Sequence, residues 1–73
     1  MESPKTDIVE LKKIMVEQKL DKIVDLSNKS GVDRNTLSLI LRGEKQPSSD
    51  VMVKLTKTLK ISPTKAGRIF FSN

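Results

Sequence analysis

Asn35, Ser38 and Arg42 follow one another at intervals of three and four residues. On a helix that spacing puts a carboxamide, a hydroxyl and a guanidinium on one face. Leu39 falls beside them and adds an isobutyl group. Such a set is suited to recognition by hydrogen bonding and shape. A carboxamide matches the two-point edge of adenine, a guanidinium that of guanine, and an alkyl group meets the thymine methyl. Arg42, at the end of the stretch, serves equally well as a phosphate ligand. The companions of a catalytic hydroxyl or carboxylate are missing. The chain has no His and no Cys, which removes the commonest general base, the commonest metal ligand and the thiolate nucleophile. Gly31, Gly43 and Gly67 are isolated rather than gathered in a phosphate-cradling loop. No enzyme, metal, cofactor or small-molecule substrate is therefore expected.

The chain has 73 residues and a formal net charge of +5. That length suits one small domain, whose core must be efficient or helped by a second subunit. A basic balance suggests a polyanionic partner. Residues 1–36 are electrically balanced, so the excess lies in residues 37–73, where seven Lys/Arg face Glu44 and Asp50 alone. Phe70 and Phe71 are the aromatic residues, too few for the base-stacking platforms of single-strand binders. No apolar run approaches the ~20 residues needed to span a bilayer, and the polar start is not a signal peptide. A soluble protein of the cytoplasm is expected.

Hydrophobic period and capping residues predict five short helices and no strand. Residues 1–6 read as a flexible lead-in and 7–73 as a single domain. Thr6 or Asp7 caps a first helix to about Lys19, with Ile8, Leu11, Ile14 and Met15 inward. A second helix from Asp21 or Lys22 to Lys29 turns Ile23, Leu26 and Ser27 inward. Gly31 ends it in a left-handed conformation. Asp33 caps a third helix, Arg34–Arg42, closed by Gly43. Ser48 or Ser49 caps a fourth over about Asp50–Leu59. Ser62-Pro63 opens a fifth that ends near Phe71.

The second and third helices carry Ser27, Gly31, Val32, Leu37 and Ile40 in a fixed spacing. A small Ser27 permits a close helix crossing, Gly31 makes the sharp turn, and Val32, Leu37 and Ile40 pin the following helix to the core. That is the spacing of a helix-turn-helix. The stretches Gly31–Ser38, Arg42–Ser48 and Lys54–Ser62 resemble the lambda-repressor-like (Cro/cI, XRE) domains across roughly residues 8–70. The resemblance implies a compact all-α bundle of five helices and a transcriptional regulator, repressor or Cro-like, of a phage or mobile element. It would bind duplex DNA as a homodimer with its third helix in the major groove. Lys22, Arg34, Asn35, Thr36, Ser38, Leu39, Arg42, Lys45 and Gln46 are the expected DNA-binding residues, with Lys45 and Gln46 on phosphates.

Some positions depart from that family's pattern. Its usual Gln at the opening of the second helix is replaced by Lys22 or Ile23, and Val24, Leu39 and Leu41 stand where polar residues are common. Ile23, Val24 and Leu39, with or without Leu41, together form an apolar patch that would suit a protein. The alternative function is thus an anti-repressor, whose scaffold binds a partner repressor protein. Phe70 and Phe71 read as packing the last helix onto the first; as adjacent aromatics that cannot both face one core, they are also a second candidate protein contact, a dimer seam.

Overall fold

The computed structural model describes residues 5–72. They form five helices: α1 (Ile8–Glu17), α2 (Ile23–Ser30), α3 (Arg34–Leu41), α4 (Ser49–Thr58) and α5 (Pro63–Phe70). Among the described residues there is no strand, and none of their helices is long and apolar enough to cross a membrane. Residues 1–4 of the expected lead-in lie outside the described residues. Its last two residues are engaged: the Lys5 N–H donates to the Ser72 carbonyl at 2.8 Å, and the Thr6 hydroxyl donates to Gln46 Oε1 at 2.9 Å.

Four of the five helices open on a side chain that accepts a first-turn N–H: Asp7, Asp33, Ser48 and Ser62. Each such cap stabilises its helix by about 1 kcal/mol. α2 differs, for Lys22 at its cap position supplies no acceptor.

The helix ends follow a common device. At α1, α3 and α4 the last turn is closed by two backbone bonds around a residue of positive φ. Gly43 (φ +76°) does this for α3, donating to Ile40 while Glu44 donates to Leu39. At the other two ends the left-handed residue is a lysine, Lys19 (φ +59°) and Lys60 (φ +55°). Lys19 therefore lies beyond α1, which stops at Glu17, short of the expected end. A non-glycine residue in this region is strained by roughly 1–2 kcal/mol, part of which Gly would forfeit through its greater freedom when unfolded. Lys60 is exposed, so Lys60→Gly is expected to stabilise the domain by about 0.5–1 kcal/mol. Urea unfolding would show it as a raised midpoint with unchanged slope; a lowered midpoint would contradict the strain.

Among the described residues, one core cluster gathers Leu11, Ile14, Met15, Leu26, Val32, Leu37, Ile40, Leu55, Leu59, Ile61, Ile69 and Phe70, all buried. α2 lies against α3 and α4, and α5 against α1 and α4. α3 is held by α1 and α2. Its Leu37 and Ile40 face inward, which leaves the opposite side of the helix to solvent.

Candidate nucleic-acid interface

The turn between α2 and α3 is stiffened from both sides. Gly31 holds φ +77° and donates to the Ser27 carbonyl. The Ser27 hydroxyl donates to the Val32 carbonyl at 2.6 Å, and the Ser30 hydroxyl accepts from the Val32 N–H at 3.1 Å. Val32 is itself buried. Ser27 thus does more than permit a close crossing: its hydroxyl ties the end of the turn to α2.

Asp33 accepts the Thr36 N–H at 3.2 Å, so the opening of α3 carries its own carboxylate. Arg34 and Asn35 are exposed in the first turn, Thr36 is half-buried at the flank, and Ser38 and Leu39 are half-buried on the solvent side. Arg42 caps the end of α3. Its Nε approaches Glu44 Oε2 at 2.7 Å, with both side chains more than half exposed. Asn35, Ser38 and Arg42 thus lie along one outward strip, as their spacing requires. Ser38 and Arg42 also border a cleft of about 390 Å³ whose wall includes Met15, Ile23 and Leu41, with Lys12 of α1 on the same cleft.

Lys22 is exposed at the start of α2, and Lys45 is exposed in the turn between α3 and α4. The first-turn N–H groups of α2 have no side-chain acceptor, so that helix end presents unpaired donors and the positive pole of its dipole.

Four expected site residues sit differently. Gln46 does not hold its amide free for a phosphate: Nε2 donates to the Phe70 carbonyl at 2.6 Å and Oε1 accepts from Thr6. Ile23 is packed against the core, so its side chain contributes little to an outer patch. Leu41 is packed in the same way. Phe70 is 1% exposed and belongs to the core, whereas Phe71 is 55% exposed. A helix turns ~100° per residue, and α5 points the first of the pair inward. The apolar groups left on the α2–α3 face are Val24, 43% exposed, and half-buried Leu39. Phe71 and Val53 instead border a shallow groove between α4 and α5.

Glu44, Lys12 and Thr6 were not legible as site residues. Glu44 reaches Arg42 because left-handed Gly43 folds the chain back, and Lys12 and Thr6 arrive from sequence-distant segments. Among the described residues no group of three or more His, Cys, Asp or Glu could hold a metal ion.

A family model described as helix-turn-helix matches residues 11–65, which is 55 of the 73 residues. The matched span includes all of α2, α3 and α4. No curated protein and no solved structure matches the chain.

Proposed function

We propose that this chain, which belongs to the lambda-repressor-like (XRE-type) helix-turn-helix family of DNA-binding transcription regulators, lays the outward strip of α3 in the major groove of duplex DNA. The observation that carries this reading is the placement of α3. It is anchored by Leu37 and Ile40 on α1 and α2, and its free side carries Arg34, Asn35, Ser38, Leu39 and Arg42. Asn35 and Arg42 would read base edges, Leu39 a thymine methyl, and Thr36 and Ser38 would adapt to either base type. Arg34, Lys22 and Lys45 would bind phosphate on either side, helped by the uncapped opening of α2. Two copies would occupy half-sites about one helical turn apart (~34–36 Å), and repression would follow from occupying the groove. With DNA as the ligand, the site of action would be the cytoplasm of a bacterial or phage-infected host cell.

The test is selection from random duplexes at low salt, followed by binding of the enriched sequence at about 50 and 200 mM salt. Two inverted copies of one short motif are expected. Three phosphate-facing cations per copy, Lys22, Arg34 and Lys45, predict a log–log salt slope of about −2.7 per half-site, a loss of roughly fortyfold per copy across that range. No saturable duplex binding at low salt would sink the proposal. The anti-repressor reading rests on Val24 and Leu39. It would gain if duplex binding were absent and Leu39→Asp abolished capture of a partner repressor.

A further inference from the structure

Three segments far apart in the chain meet at the side chain of Gln46. The lead-in is pinned along the end of α5 by two backbone bonds, Lys5 N–H to the Ser72 carbonyl at 2.8 Å and Asp7 N–H to the Ile69 carbonyl at 2.7 Å. Thr6, between them, turns its hydroxyl to Gln46 Oε1, and Gln46 Nε2 bonds the Phe70 carbonyl. The third segment is the turn that carries Lys45. Its first half is held by the Gly43 and Glu44 N–H groups on α3 carbonyls. Beyond Glu44 the turn is tied down by the Gln46 amide and by buried Pro47. A carboxamide is suited to this place because one planar end offers a donor and an acceptor together. A Glu would set a second acceptor against the Phe70 carbonyl.

We infer that Gln46 is a positioning residue for the DNA contact: through Thr6 and Phe70 it fixes Lys45 relative to α3, so the lead-in and the end of α5 set DNA affinity without touching DNA. The inference rests on the DNA-binding reading above, and it assigns Gln46 a role other than the phosphate contact that its sequence position suggests. Thr6 shares the role, since its hydroxyl is directed at the amide.

The experiment compares Gln46→Met, Thr6→Val, Thr6→Ser and the double variant Thr6→Val/Gln46→Met, each checked for folding by thermal unfolding. Binding to the selected duplex is measured well below every midpoint. Gln46→Met and Thr6→Val are each expected to weaken binding by about three- to tenfold, the range of one net hydrogen bond. Thr6→Ser should restore it, and the double variant should be no weaker than Gln46→Met alone, because the two residues act through one bond. In the free protein, backbone relaxation at Lys45 and Gln46 should show increased motion in both weakened variants. If Gln46→Met weakens binding and Thr6→Val does not, Gln46 touches DNA itself and the inference is overturned. It is equally overturned if both variants lower the unfolding midpoint but bind as the wild type does. If the wild type binds no duplex, the parent reading falls with it. Backbone relaxation at the turn, which needs no DNA, then still shows whether the brace exists.

Discussion

Ile40→Ala is expected to remove about 2–5 kcal/mol of folding stability, whereas Leu39→Ala, one residue away, should change it by no more than about 0.5 kcal/mol. Ile40 is fully buried at 0% exposure, and its side chain is part of what holds α3 on the rest of the core. Truncation removes transfer energy and leaves a void that short helices close poorly. For a domain of this length total stability is on the order of 4–11 kcal/mol, so the loss would leave a marginal protein. Leu39 sits on the opposite side of the same helix, half-buried and outside the core cluster. Urea unfolding of both variants checks the pair. Equal costs at the two positions would mean that α3 is not rotated as described.

Asn35→Ala and Arg42→Ala are expected to reduce discrimination against wrong bases by about 1–3 kcal/mol each, at different positions of the selected sequence. The measurement is the ratio of affinities for the selected duplex and for single-base variants of it. A uniform loss across all sequences would make the residue a phosphate contact instead. Arg42 carries an added complication. Its Nε is held by Glu44 in an exposed pair, a contact worth only ~0–1 kcal/mol after screening. DNA must compete with that carboxylate or accept it nearby. Glu44→Gln should therefore tighten binding up to about fivefold.

The helix-turn-helix was legible because its determinants are local. Gly31, Val32, Leu37 and Ile40 act within one turn or one helical period of their neighbours, and Asp33, Ser48 and Ser62 cap the N–H groups three residues ahead. Sequence spacing encodes such relations directly. Helix ends without glycine were not legible. Lys19 and Lys60 are good helix formers by propensity, yet each takes the left-handed position because the following residue, Leu20 or Ile61, donates back to the helix. Phe70 and Phe71 showed by adjacency that one must leave the core, but the rotation of α5 decides which. Gln46 illustrates the general limit. Its partners Thr6 and Phe70 lie 40 and 24 residues away, and no pattern in the intervening chain announces them. A surface glutamine in a turn reads as a free hydrogen-bonding group until the tertiary fold brings up what it bonds.

The antiparallel bridge of Lys5 with Ser72 brings the two ends of the described chain side by side. In topological terms the bundle is a ring that happens to be cut at this seam. A few linking residues would close it, and an exposed turn elsewhere could be opened in exchange, the geometry that circular permutation requires. The helices would then run in a rotated order around an unchanged core, with Gln46 still clasping the seam. The outward strip of α3 is therefore a property of how that helix is seated between its neighbours, not of its being third along the polypeptide.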